Sequence, residues 1–319
     1  MEKENKMENT QIDIFDELEK QIKSIALKID SAKRIGNSAE VLDLKKDMYA
    51  KKIEQIDFLN EDIRISSTQT AEELMIDVAN RGPVTKYATG TPLDKYLQGG
   101  IEVGTFVQLA GESFAGKTHF IMEILTNVST YSEVMFFNFE MGDIRINERL
   151  VRSLDTQTQR KNFLINSRAR NLKDIIKEIT DKASRGVKFF AIDSKIKIEV
   201  PEESEDLKAY RKISSELSKL SQEKEIIIIL INQMNEDDQK NNRLAFKGGG
   251  DQMYDTDIAL FYMLHKENNK PQSEYKRIMY CRKNRTGNET LFQIETKLVN
   301  NKTIDTKDDY EVEVIEYQE

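Results

Sequence analysis

The 319-residue chain has one cysteine, two histidines, four prolines and no tryptophan. Cys281 alone cannot form an intrachain disulfide, and with only His119 and His265 beside it the chain cannot build a four-ligand zinc site of cysteine and histidine. No apolar run approaches the roughly 20 residues needed to span a bilayer. The first ten residues, "MEKENKMENT", lack the apolar segment of a secretion signal. These absences lead to the expectation of a cytoplasmic protein without membrane contact.

Charge is unevenly spread. The net charge is −8; residues 1–80 hold 12 basic and 18 acidic groups and residues 301–319 hold 2 and 7, so the ends carry −6 and −5 and residues 81–300 about +3. The centre is mildly basic and able to face phosphate, while the ends are solvated and self-repelling.

Residues 12–64 have few helix breakers. Phe15, Leu18, Ile22, Ile25, Ile29 and Ala32 alternate spacings of three and four, a heptad seam among charges. "RIGNSAE" interrupts it, with Ser38 as the expected N-cap; Val41, Leu44 and Met48 resume the stripe, and Ile56, Leu59 and Ile63 follow. The pattern predicts a helical hairpin or coiled coil over 1–65, for self-association, partner docking or packing on its own domain. A linker helix over 66–84 is stopped by Gly82 and Pro83. An acidic tail is expected over 301–319.

From residue 100, "TFVQLAG", "EVMFFNFE", "VKFFAIDS" and "EIIIILINQ" alternate with helical stretches near 117–129, 171–184 and 204–222. This predicts an α/β domain over 85–300, with a mostly parallel sheet and helices on both faces. "TDIALFYML", "YKRIMYCRK" and "LFQIET" read as antiparallel additions.

"LAGESFAGKTHF" carries GxxxxGK[ST] between an apolar strand-like run and a helical pattern. A glycine turn capping a helix would satisfy the pattern alone. In its strand–loop–helix setting it predicts a nucleotide site, in which backbone N–H groups and the helix dipole surround phosphate. Gly111, Glu112, Ser113, Phe114, Ala115 and Gly116 form the loop, Lys117 adds a mobile charge, Thr118 offers a hydroxyl to Mg²⁺, and His119 follows. ATP and Mg²⁺ are the expected cofactors.

Polar residues at the ends of the apolar strands supply the other candidates, because ligands of such sheets bind beyond the strands' carboxyl ends. Asp193 ends "FFAID" and is expected to hold Mg²⁺ opposite Thr118. Glu140 follows "MFFNF" and is the candidate base for water, or an ordinary acid before a helix. Gln233 follows six apolar residues and Asn232 and can touch a γ-phosphate, or merely end a strand.

In this order, "TGTPLDKYLQGGIEVGTFVQLAGESFAGKT", "FNFEM", "AIDS", "INQ" and "RKNRTG" resemble the RecA superfamily of oligomeric ATPases over residues 85–296. "FEM" with Arg149 after it, and "KNRTG", resemble the ATPase domain of DnaB-type replicative helicases. "KNRTG" with "GGGDQMYDTDIALFY" also resembles the branch-migration helicase RadA. "LDKYLQGGIEVGT", "IDS" and "INQ" resemble the strand-exchange recombinases. The cysteine-rich module and protease-like domain of RadA have no counterpart here, nor does the globular N-terminal domain of DnaB.

The resemblance implies an ATP-driven motor on single-stranded DNA, working as a homo-oligomeric ring, a hexamer in the DnaB-like case, in replication or recombination. Arg149 joins the nucleotide contacts, and Lys283 and Arg285 serve the neighbouring subunit's site. Residues 235–251, "NEDDQKNNRLAFKGGGD", correspond to loops facing DNA. Lys240, Arg243 and Lys247 are their candidate phosphate contacts, Gly248 to Gly250 their pivot, and Asp237 and Asp238 work against tight binding. Two other readings stay open: a filament-forming recombinase, and an ATP-gated loader that binds a protein partner through residues 1–65.

Overall fold

The computed structural model describes residues 2–34, 37–65, 70–235, 243–247, 249, 251–265, 276–286, 291–299 and 302–306. The chain divides into two compact units, Met1–Pro83 and Val84–Glu319. No described helix is long and apolar enough to cross a membrane.

The first unit contains α1 (Glu2–Arg34), α2 (Ser38–Ile65) and α3 (Ala71–Arg81). Helix α1 packs against α2, with Leu18, Ile29 and Ala32 buried and Ile22, Ile25, Val41, Leu44 and Met48 partly so. The side chains of Phe15, Ile56, Leu59 and Ile63 lie outside the described residues. Asn37, rather than Ser38, caps α2: its Oδ1 accepts the Glu40 N–H at 3.3 Å and its Nδ2 donates to Glu40 Oε2 at 2.8 Å. The helix starts at Ser38, so the residue before it is the one placed to reach back to the third helical position.

The second unit opens with β1 (Lys86–Tyr87), α4 (Leu93–Tyr96) and β2 (Ile101–Glu102), then β3 (Phe106–Gly111), α5 (Lys117–Val128) and β4 (Val134–Asn138). It continues through α6 (Asp143–Ser153), α7 (Gln157–Asn162), β5 (Phe163–Asn166), α8 (Leu172–Ser184), β6 (Phe189–Asp193) and α9 (Asp206–Glu223). After β7 (Ile227–Ile231) come α10 (Gln252–Asp255), β8 (Ile258–His265), β9 (Lys276–Asn284), β10 (Gln293–Val299) and β11 (Lys302–Asp305).

Strands β11-β10-β9-β8-β3-β7-β6-β4-β5 form one sheet in that order. Its parallel part runs from β8 to β5. Both faces are covered, which is why these strands read as unbroken apolar runs. On one face Val107, Leu109, Phe136 and Ile229 pack with Phe120, Ile124 and Leu125 of α5. On the other Met135, Phe137, Phe190 and Ile228 pack with Ile175 and Ile179 of α8 and Ile213 and Leu217 of α9. The α/β fold expected from the sequence is the one observed.

Three details of this second unit differ from expectation. Strand β8, read as an antiparallel addition, pairs parallel with β3, Val107 opposite Ile258 and Gly111 opposite Tyr262; the antiparallel part begins at β9. Strand β5 is an edge strand that the sequence reading passed over. Strand β11 lies inside the segment read as an acidic tail, because Thr303 is fastened to α5: Glu123 accepts its N–H at 2.8 Å and its hydroxyl at 2.5 Å. Residues 307–319 of that tail lie outside the described residues.

Candidate nucleotide-binding site

The glycine loop leaves the carboxyl end of β3, and Lys117 is the first residue of α5. Two glycines are required by geometry. A Cβ on Gly111 would lie 2.1 Å from the Tyr262 carbonyl oxygen on β8, and Gly116 has φ +98°. Phe114, between them, adopts φ 63° without being glycine and is 85% exposed.

The Lys117 ammonium donates to the carbonyls of Gly111 at 3.0 Å and Glu112 at 2.8 Å. Burial pushes its pKa down, against the charges of Asp193, Glu140 and Glu112. Thr118 donates its hydroxyl to Asp193 Oδ2 at 2.6 Å. Asp193 ends β6 and is fully buried, and its Oδ1 has no hydrogen-bond partner. Burial is the main reason its pKa is raised, to about 6; the Glu140 charge adds to this, and the Thr118 hydrogen bond and the charges of Lys117 and Arg149 oppose it.

A buried carboxylate oxygen without a donor, beside a threonine hydroxyl, fits a hard divalent cation with oxygen ligands. Among the described residues there is no cluster of three or more His, Cys, Asp or Glu side chains that could hold a metal alone. The donor set therefore suits Mg²⁺, which completes its shell with water and phosphate oxygens.

Glu140 stands beyond β4, and Ser194 donates to its Oε1 at 2.6 Å. The backbone binds the same two segments, Phe139 N–H donating to the Asp193 carbonyl at 2.8 Å. Gln233 follows β7 by two residues. Lys117, Thr118, His119, Glu140, Arg149, Asp193 and Gln233 line one cleft of about 500 Å³ together with Gly111, Ser113, Phe114 and Gly116. That volume is in the range of small-ligand sites. Glu112 and Ala115 belong to the loop without lining the cleft.

Lys283 and Arg285 are not in this cleft. Lys283 lies opposite Ala259 at the beginning of β8, and the Arg285 N–H donates to the Asp257 carbonyl at 3.0 Å. Asp257 Oδ2 in turn accepts the N–H of Phe106, the first residue of β3. The pair thus stands at the opposite end of β3 from the glycine loop, roughly 17 Å away along a strand of this length. The Lys283 ammonium bonds the carbonyls of Met253 and Tyr254 on α10, and burial lowers its pKa, with the Arg285 charge adding to the effect. The Arg285 guanidinium is half exposed and 3.8 Å from Asp257.

Of the three candidate DNA contacts, Arg243 is exposed, Lys240 lies outside the described residues, and so do Gly248 and Gly250 of the glycine run. Lys247 is partly buried and turned toward Gln233, whose Oε1 accepts from its ammonium at 3.4 Å.

Sequence reasoning passed over four participants. Arg277 of β9 is 6% exposed and donates Nε–H to the Ala115 carbonyl at 3.0 Å, holding the glycine loop from behind. Ser194 orients Glu140. Lys195 and Gln252 are buried in a polar cluster with Gln108, Ser214 and Asn232. Burial pushes the Lys195 ammonium down to about 7, and the Asp255 charge opposes this. Gln108 was a legible signal, a polar residue in the middle of the apolar run "TFVQLAG".

No family model matches the sequence, and no curated protein matches it. Solved structures do. A KaiC-like protein of the hyperthermophilic archaeon Pyrococcus horikoshii shares 18% identity at a TM-score of 0.57, over 70% of this chain and 99% of that one. A second solved structure, an ATPase domain, shares 17% at 0.62, over 75% and 99%. A DnaB-like replicative helicase, solved for its interactions with primase, shares 15% at 0.60, over 90% and 76%. The chain therefore has the RecA-like ATPase fold.

Proposed function

We propose that the chain is an ATPase of DnaB-like kind that acts as a ring, a hexamer in the reading favoured here, on single-stranded DNA in replication or recombination. One observation carries the proposal. Lys283 and Arg285, the pair that the resemblance assigns to the nucleotide, lie at the end of the sheet remote from the glycine loop of their own chain. A second copy must then bring them, and sites shared around a closed ring satisfy every copy at once.

In this reading Lys117 and the loop N–H groups bind the phosphates of ATP, and Thr118 and Asp193 hold Mg²⁺, which neutralises phosphate charge when bound. Glu140, oriented by Ser194, accepts the proton of the attacking water. Gln233 touches the γ-phosphate, His119 and Arg149 contact the remainder of the nucleotide, and Arg285 with Lys283 stabilises charge developing on the phosphoryl group. Lys240, Arg243 and Lys247 belong to the DNA-facing loop. Residues 1–65 serve assembly or a replication partner. The exposed apolar side chains Leu74, Met75, Ile76 and Val78 of α3 support a further protein contact.

The test is ATP turnover with and without single-stranded DNA, alongside electron microscopy with an ATP analogue. Rings and DNA-stimulated turnover are expected; strand displacement on a forked substrate identifies the helicase. Monomers that bind ATP in a complete site would overturn the proposal.

A further inference from the structure

Behind the cleft lies a cluster of buried polar side chains, most of them on the α9 side of the sheet. Gln252, the first residue of α10, is fully buried. Its Oε1 accepts from the Lys195 ammonium and from Asn232 Nδ2–H at 3.1 Å. Its Nε2 donates to the Lys247 carbonyl at 2.9 Å. Its backbone carbonyl accepts from Thr256 Oγ1 at 2.8 Å and from Gln108 Nε2 at 3.4 Å.

Among the described residues, the hydrogen bonds of Gln233 go to Asn232 and Lys247, both partners of this one amide. The Gln233 N–H donates to Asn232 Oδ1 at 2.8 Å, and the Gln233 carbonyl accepts the Lys247 N–H at 2.8 Å. Its side-chain oxygen accepts from Lys247 Nζ at 3.4 Å. Asn232 Nδ2 also donates to Gln108 Oε1 at 3.0 Å, which fixes the Asn232 amide from the β3 side.

A primary amide can face either way, and only one way serves Gln233. With Nε2 toward Lys247, its carbonyl is bonded; with Oε1 there, two acceptors would meet, a buried repulsion. Lys195 and Asn232 together hold the first orientation, because both present N–H donors to Oε1, and Lys195 brings the link to β6. It is 1% exposed, is held by Ser214 Oγ at 2.6 Å, and lies two residues after Asp193. The end of β6 that carries Asp193 is thereby tied to the end of β7 that carries Gln233.

We infer that Lys195 is a positioning residue for Gln233, acting through the orientation of the Gln252 amide and through Asn232 and Lys247. The inference rests on the proposed role of Gln233, so its test separates the two.

Two measurements do so on the full chain. Amide hydrogen exchange in Lys195→Met should rise about tenfold at residues 233 and 247, whose N–H groups the cluster holds, with α8 unchanged. Unchanged exchange at these two amides overturns the inference whatever the turnover. In turnover, Lys195→Met should lower kcat by about tenfold to a hundredfold, as a displaced contact does. In a Gln233→Ala background it should add nothing, since the two act through one contact; additive losses overturn the inference. Full turnover by Gln233→Ala would instead strike the role of Gln233, while exchange still reports the hold. If Lys195→Met folds poorly, Lys195→Met/Gln252→Leu replaces the polar pair by an apolar one. Its Tm should recover without kcat; recovery of both reduces Lys195 to packing and overturns the inference.

Discussion

Lys117 and Arg285 stand at opposite ends of the same sheet. Lys117 follows the loop after Gly111, which lies opposite Tyr262, whereas Arg285 bonds Asp257, which lies beside Phe106 at the start of β3. No side-chain rotation joins them within one chain, because an arginine reaches less than half of that separation.

The separation yields a complementation test. In the shared-site reading Lys117→Ala spoils its own pocket and still offers Arg285, whereas Arg285→Ala keeps a sound pocket and offers nothing. Each alone should lose about a thousandfold or more in turnover, the scale of a missing arginine finger. Mixed, some interfaces join a sound pocket to a sound arginine, so phosphate release should exceed that of either variant. A flat, inactive titration with confirmed co-assembly would sink the shared site.

Glu140 and Lys117 should separate binding from chemistry. Glu140→Gln keeps the size of the side chain and a hydrogen bond from Ser194, but an amide cannot accept the water's proton. Nucleotide affinity should stay within about threefold while kcat falls by about a hundredfold or more, the scale of general base catalysis. Fluorescent-nucleotide titration and single-turnover hydrolysis check the two numbers; equal loss in both would make Glu140 a structural residue.

The order of strands and helices was legible because strands covered on both faces leave unbroken apolar runs, and the glycine loop sits between one such run and a helix. The direction of β8 was not legible. "TDIALFYML" carries nothing that says which way β8 runs, and its parallel pairing depends on a return connection through α10. The cleft's frontal residues stood at strand ends and could be named from sequence. Its rear supports could not: Arg277 reaches Ala115 across 162 positions, and Gln252 meets Gln108 across 144. Lys195 reads as one lysine in "SKIKIE", and only burial distinguishes it from Lys197.

Arg277→Ala should loosen the glycine loop without touching the groups that react. The Ala115 carbonyl loses a buried donor, a change worth about 1–3 kcal/mol. KM for ATP should therefore rise about tenfold while kcat changes little. A fall in kcat at constant KM would instead place Arg277 among the groups that act in the transition state.

Cys281 gives a pH-dependent check on the sheet. It is buried in β9, and burial pushes its thiol up to about 12 from an ordinary 9. The folded chain should resist alkylation at pH 8 and react at once in denaturant. A raised thiol pKa means that the fold holds the proton more tightly than the open chain does. Its contribution is complete below pH 9 and is lost as pH climbs from 9 toward 12. Denaturant midpoints across that range should fall in the native chain and fall less in Cys281→Ala.

The two compact units give the last prediction. Deletion of Met1–Pro83 removes one unit entire and begins the chain at Val84, before β1. The sheet, the glycine loop and the cluster around Gln252 all lie within Val84–Glu319, so the shortened chain should fold and bind nucleotide in its own cleft. What it should lose is association, because the helical seam and the exposed apolar side chains of α3 leave with the deleted unit. In the shared-site reading turnover is then a property of encounters between copies. It should fall more steeply on dilution than in the full chain, while nucleotide affinity measured on the monomer holds steady. Light scattering and turnover across the same concentration series test this together. An unchanged oligomer mass with unchanged dilution behaviour would assign assembly to the ATPase unit alone and leave residues 1–83 for a different partner.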